Sequence, residues 1–167
     1  MTRMKQTVIL SLVIAAILTL PTISVGQQPN SQVAALLPDY YRIKEALVKN
    51  HPGGAAAAAA DFSRSAETLA LSKSAPKQKK AGALFTRMID DAINIAATQS
   101  LAEQRSSFQN LSQKLITLSK GAKLPQPAYI AYCPMKKAYW LSREKEIENP
   151  YYGSEMLTCG NITGTIK

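Results

Sequence analysis

Apolar and polar residues follow one another along this chain with two different periods, and the change falls near residue 123. From Leu36 the period is helical. Leu36, Tyr40, Ile43 and Leu47 share one face, and Asp39, Arg42, Glu45 and Lys49 lie opposite. That is the pattern of an amphipathic helix with its apolar stripe on a core. Pro38 suits a first-turn position, so the regular helix is expected to start there. Asn50-His51-Pro52-Gly53-Gly54 ends it, because proline and paired glycines break a helix. Ala55 to Ala60 then open a second helix on the strongest helix former, and Phe62, Ala66 and Leu69 keep the period through it. A third covers roughly residues 77–98, with Leu84, Phe85, Met88, Ala92, Ile95 and Ala96 on one side.

The fourth helix starts near Ser100, where Glu103 three residues on makes a capping box. Leu101, Phe108 and Leu115 recur every seven residues, interleaved with Leu111 and Leu118. Gln104 takes the missing place on that seam. It is expected to hydrogen-bond a neighbouring helix, since a buried unpaired amide costs about 1–3 kcal/mol. Gly121, Pro125 and Pro127 stop the helix. Past Pro127 the period shortens. Ala128-Tyr129-Ile130-Ala131-Tyr132 and Ala138-Tyr139-Trp140-Leu141-Ser142 read as two short strands around a turn at Pro134. Asn149-Pro150-Tyr151-Tyr152-Gly153 is turn chemistry with aromatic anchors, and a last helical turn is expected to carry Glu155 to Cys159, closed by Gly160.

The fold expected is mainly α: an up-and-down four-helix bundle over residues 36–122, with a small irregular, β-containing C-terminal segment, residues 123–167, packed on it. Residues 27–35 read as a flexible lead-in. Residues 1–26 read as a secretory signal. Arg3 and Lys5 precede an apolar run from Val8 to Leu20, Pro21 ends it, and Ser24-Val25-Gly26 offers a cleavage site. The run is short for a membrane span, and no later run could span. The expected location is therefore periplasmic or secreted.

Charge narrows the picture further. Removing Arg3 and Lys5 from the 20 basic residues leaves 18 against 11 acidic. The excess is dispersed, apart from Lys77-Gln78-Lys79-Lys80 at a helix start. No aromatic and basic residues interleave on a strand face, so no nucleic-acid partner is expected. Asp90 and Asp91 are adjacent, but consecutive helical residues point about 100° apart and do not converge as a catalytic or metal pair. The one histidine, His51, sits in a Pro-Gly loop. With one histidine, the usual serine, cysteine-protease and zinc-hydrolase constellations are nearly excluded. A non-enzymatic protein is expected.

Both cysteines lie in the tail, each beside a methionine: Cys133-Pro134-Met135 and Met156-Leu157-Thr158-Cys159. Two readings stand. A Cys133–Cys159 disulfide would suit an exported protein and would close a loop worth roughly 3–4 kcal/mol. Alternatively, thiolates and thioethers select copper(I) and other thiophilic ions. Cys133 and Met135 share a face if the chain is extended, and Met156 and Cys159 share one if it is helical. Tyr132, Tyr139, Trp140, Tyr151 and Tyr152 would shield the site.

Tyr40 to Leu47, together with Cys133-Pro134-Met135, Asn149-Pro150-Tyr151-Tyr152-Gly153 and Met156-x-x-Cys159-Gly160, resembles an uncharacterised family of exported bacterial domains. The same pattern occurs attached to the periplasmic adaptor subunits of copper and heavy-metal efflux pumps. The resemblance implies a copper-type metal-binding protein accessory to heavy-metal efflux. Cys133, Met135, Met156 and Cys159 would be its ligands, copper(I) the bound ion and an efflux adaptor the partner.

Overall fold

A computed structural model of the chain describes residues 29–71 and 79–167; the expected signal sequence lies outside the described residues. Four helices follow in order: α1 (Pro29–Val48), α2 (Pro52–Leu71), α3 (Lys79–Ala96) and α4 (Leu101–Ser119). Each packs on the next, and α4 closes back on α1. The stripe predicted for the first helix is the stripe observed: Leu36, Tyr40, Ile43 and Leu47 are fully buried, with Phe62, Phe85, Met88, Ile95, Phe108, Leu111 and Leu115 facing them. The alanine run serves close approach, since Ala55, Ala56, Ala58 and Ala59 are buried along α2.

α1 begins at Pro29 rather than at Pro38, so most of the expected lead-in is helical and Pro38 lies inside the helix. Proline there removes one backbone donor. Burial of Val33, Leu36 and Leu37 on the core offsets that loss, a case of tertiary packing overriding local propensity. Asn50 ends α1 in the left-handed conformation, at φ 53°.

Two side chains lock the bundle at its loops. Gln104 is fully buried, and its Nε2 donates to Pro52 O at 3.0 Å, Thr98 O at 2.8 Å and Ile95 O at 3.3 Å. One amide thus ties the α1–α2 and α3–α4 connections to α4. Ser100 caps α4 by accepting the Glu103 N–H at 3.4 Å. The reciprocal half of the capping box is rerouted: Thr98 Oγ1 accepts the Ser100 N–H and donates to Glu103 Oε2. Asp90 is exposed, while Asp91 is buried and pairs with Lys114 Nζ at 2.7 Å.

After the bundle come β1 (Ala128–Cys133), β2 (Ala138–Ser142), a short 3-10 turn (Gly153–Glu155) and β3 (Asn161–Ile166). The expected hairpin is present, with Tyr132 opposite Tyr139 and Cys133 opposite Ala138. The third strand was not expected. It pairs antiparallel with the free side of β1, so the order is β2-β1-β3. The slip between Ile130 and Ala131 leaves Thr163 as the extra residue of a bulge.

The sheet docks on the bundle through one buried hydroxyl. Tyr40 Oη lies 2.7 Å from Ser112 Oγ on α4 and accepts the Leu141 N–H of edge strand β2 at 3.1 Å. From Tyr40 an aromatic column runs into the tail. Phe108 stacks on Tyr40 at 5.1 Å, Tyr151 lies 6.0 Å from Phe108, and Trp140 meets Tyr151 edge-on at 5.9 Å. Polar contacts flank it. Lys44, itself buried, reaches Glu148 at 2.6 Å, and Arg143 pairs with Glu45. Arg143 also covers the Tyr41 ring at 5.1 Å; burial, opposed by that guanidinium, pushes the Tyr41 hydroxyl up to about 12.

Two outcomes follow. Tyr40→Phe strands the Leu141 N–H in the core, so urea unfolding should show a loss of about 1–3 kcal/mol; a loss under half of that would mean the hydroxyl is dispensable. Burial, opposed by Lys114 and reinforced by Asp90, raises the Asp91 carboxyl above its usual value. A carboxyl raised in the folded state favours folding as pH falls through its folded pKa and costs stability above it. Asp91→Asn should therefore gain on the wild type at neutral pH, and that gain should shrink on acidification in paired unfolding curves. A variant that loses ground at neutral pH would show that the Lys114 pair dominates.

Candidate functional site

The unexpected strand is what assembles the site. β1 ends at Cys133, and β3 starts with Asn161 opposite Tyr132. One step beyond that pair, Gly160 falls opposite Cys133 and Cys159 follows. The two sulfurs lie 3.5 Å apart and both cysteines are free. Cys133 is buried, whereas Cys159 is partly exposed, so the pair is approached from the Cys159 side.

Close fitting fixes this register. Gly160 has φ 149°, and a Cβ there would stand 2.8 Å from the Trp140 ring and 2.9 Å from Tyr132 O. Only glycine fits both the conformation and the space. Asn149, fully buried, holds the other side. Its Nδ2 donates to Cys159 O at 2.7 Å and its Oδ1 accepts the Tyr151 N–H at 2.8 Å. Its own N–H reaches Leu157 O at 2.8 Å. The loop carrying Cys159 is therefore built around one amide side chain.

That loop is in turn clamped to the bundle. Arg105 Nε donates to Pro150 O at 3.0 Å, and its Nη2 to Asn50 Oδ1 at 2.6 Å and Leu47 O at 3.3 Å. Gly153, at φ 57°, sits so close that a Cβ would meet Asn50 Oδ1 at 2.3 Å. Asn50 Nδ2 also donates to Ser154 Oγ at 2.9 Å.

The two thiols differ electrostatically. Burial pushes Cys133 up, yet its pKa lies below the ordinary thiol value. The Lys136 N–H at 3.4 Å, the Asn149 amide, the Cys159 thiol and the Met135 N–H all favour its thiolate. Cys159 moves the other way, chiefly because it donates to Cys133; burial and the Cys133 charge add to this, and the Met135 N–H opposes it. Of the two, Cys133 is the thiol that ionises more readily, with Cys159 donating to it beneath N–H groups of the turn at residues 134–137. Hydrogen bonds to the charged form are what lower a thiol in a buried place.

Of the four sulfur residues predicted from sequence, the cysteines converge and the methionines flank them. Met135 follows Pro134 in the turn, with its side chain 65% exposed. Met156 is half-buried, and its carbonyl accepts the Cys159 N–H at 3.0 Å. The helical turn expected over residues 155–159 stops at Glu155, so Met156 and Cys159 are joined by a tight turn instead of a helix face. The predicted aromatic shell divides in two. Trp140 and Tyr151 are buried behind the pair, with Tyr151 Oη donating to Tyr139 O at 2.5 Å. Tyr132 and Tyr139, ring centres 4.5 Å apart, pair on the face of the sheet opposite the Cys133 side chain, and Tyr152 is half-buried. Asn149 and Gly160 are the residues that sequence reasoning passed over. The signal was a buried-type turn, Asn-Pro, and a glycine directly after a cysteine.

The chain belongs to the family described as "Protein of unknown function (DUF3347)", whose model matches residues 36–126, more than half of the 167 residues. The match ends just before β1, so the bundle carries it and both cysteines lie outside it. No curated protein and no solved structure matches the chain.

Gly160→Ala should part the sulfurs by pushing the loop off Trp140. In the wild type, a mild thiol oxidant should link Cys133 to Cys159 in preference to forming dimers. In the variant this internal link should form about tenfold more slowly, as expected for roughly 1.4 kcal/mol of lost positioning. Equal rates, followed by mass spectrometry, would show that the register does not depend on Gly160.

Proposed function

We propose that this member of the DUF3347 family is a non-enzymatic binder of a soft cation, copper(I) foremost. Cys133 and Cys159 would hold the ion, with the Met156 thioether beside them. The observation that carries this reading is the free sulfur pair 3.5 Å apart beneath converging N–H donors. Donors of that kind stabilise a thiolate, and thiolates are the ligands of soft metals. A permanent disulfide would leave those donors with no charge to satisfy.

The donor set also selects among ions. Among the described residues, no group of three or more His, Cys, Asp or Glu could hold a metal ion. Zinc structural sites use four such ligands. Two thiolates supplemented by thioether suit an ion content with few, soft ligands, which is copper(I). The buried Trp140 and Tyr151 would keep bulk water from the inner side of the pair. An exported location and a role beside a heavy-metal efflux adaptor fit this reading through the sequence resemblance, by association.

One observation favours a second reading. The sulfurs need close only from 3.5 Å to about 2.05 Å to form a disulfide, which would staple the tail as a structural or interaction module. Anaerobic titration of the reduced full chain with copper(I) separates the two. One ion should bind per chain at micromolar metal or below, and Cys133→Ser and Cys159→Ser should each abolish uptake. Absence of uptake, with a purified chain lighter by two hydrogen atoms, would overturn the metal reading in favour of the staple.

A further inference from the structure

Exposed apolar side chains occur on the segments that carry the sulfur pair. Among the described residues five are exposed: Leu71, Ile93, Met135, Tyr139 and Leu157. The last three belong to the segments that hold the sulfur pair. Met135 lies in the β1–β2 turn, two residues after Cys133. Leu157 lies in the loop that delivers Cys159. Tyr139 pairs across β1 with Tyr132. Met135 is the most exposed of the three, at 65%, although its backbone N–H points at both sulfurs. Its flexible thioether is thus tethered at the open edge of the site and packs against little.

The same turn is basic. Lys136 and Lys137 follow Met135, and Lys137 is held in the left-handed conformation at φ 54°. Neither lysine has an ion-pair partner among the salt bridges of the described residues, which use Lys44, Lys114 and four arginine contacts. The chain as a whole carries a formal net charge of +9. The turn beside the sulfur pair therefore presents an exposed thioether next to two lysines without ion-pair partners among the described residues.

Resting on the metal-binding reading, we infer that this patch is a hand-over surface for an acidic protein segment bearing a free thiol, and that Met135 is the entry ligand. Lys136 and Lys137 draw the acidic segment in, and Leu157 on the Cys159 loop seats it. The Met135 thioether attaches to the ion while the partner thiol approaches from the Cys159 side. The exchange is balanced. The acceptor thiol releases its proton and forms its sulfur–copper bond. The Cys159–copper bond breaks, and Cys159 takes up a proton. Copper stays in the same oxidation state throughout. Buried Cys133 is the last sulfur to let go. A lipid surface is disfavoured, because it offers no soft donor to the pair.

The test follows copper(I) leaving the loaded full chain for a synthetic Cys-x-x-Cys peptide flanked by aspartates, with a small diffusible chelator as reference. Met135→Leu should slow transfer to the peptide, relative to the chelator, about tenfold. The double change Lys136→Glu with Lys137→Glu should slow transfer to the acidic peptide and remove its salt dependence, and a lysine-flanked peptide should reverse the preference. All these positions are on the surface, so the variants should fold. A chain that binds copper(I) but transfers it at the wild-type ratio in both variants overturns this inference and leaves the metal site standing. Failure to bind copper(I) at all overturns both. Binding of the metal-free chain to phosphatidylglycerol vesicles that Met135→Leu abolishes would assign the patch to a membrane and overturn the protein partner.

Discussion

The Tyr40 hydroxyl joins the two halves of this protein. It is fully buried, it touches Ser112 on α4, and it accepts the Leu141 N–H from the edge strand of the sheet. Burial alone would make such a hydroxyl costly. Two partners satisfy it, and burial, partly opposed by those partners, holds its proton on far above the ordinary tyrosine range. It is therefore a fixed neutral connector at any physiological pH. Because Leu141 lies on an edge strand, the same bond also covers a donor that an open sheet would present to other chains. Position the sheet by this contact and the rest of the tail follows. Phe108 stacks on Tyr40, Tyr151 leans on Phe108, and Trp140 abuts Tyr151. The face of Trp140 is then the wall that only Gly160 can approach.

The sulfur pair is thus placed by two independent constraints. The β1–β3 register brings Cys159 alongside Cys133. Asn149 and Arg105 fasten the intervening loop, the first to the loop's own backbone and the second to the bundle. Arg105 has its pKa lowered by burial, which Glu155 partly offsets, but a guanidinium stays charged at any relevant pH. Its bonds to two backbone carbonyls and the Asn50 side chain use several of its donors at once, as a planar fork allows and a lysine would not. Burial also raises the Tyr151 hydroxyl, with the charges of Tyr40 and Cys133 adding to the shift and Ser112 opposing it.

The helices were readable from sequence because their signal is periodic and strong. Leu36, Tyr40, Ile43 and Leu47, and the seam of Phe108, Leu111 and Leu115, are all buried as their spacing implies. Gln104 was readable too, since a polar residue in an apolar seam must find partners. What escaped was set by long-range packing. The start of α1 lies before Pro38 because the burial of Val33 and Leu37 outweighs one missing donor. β3 was overlooked although Asn161-Ile162-Thr163-Gly164-Thr165-Ile166 alternates with β-branched residues. An interior glycine weakens a strand signal, and here it adjoins a bulge. With β3 unseen, the convergence of Cys133 and Cys159 could be posed only as a choice, and Met156 was placed on a helix that ends at Glu155.

The reach of the family match gives this architecture a sharper meaning. It covers residues 36–126 and stops before the sheet. Yet Tyr40, Lys44, Glu45, Arg105 and Phe108, all inside that range, each contact the tail. Lys44 is the clearest case. A lysine ammonium is rarely buried unless paired, and its partner is Glu148, more than a hundred residues along the chain. Take the tail away, and Lys44 loses its countercharge while Tyr40 and Phe108 face water. The bundle surface in this chain is therefore cut for something that sits on it. Residues 123–167 are that element here, packed on the helices through these buried contacts.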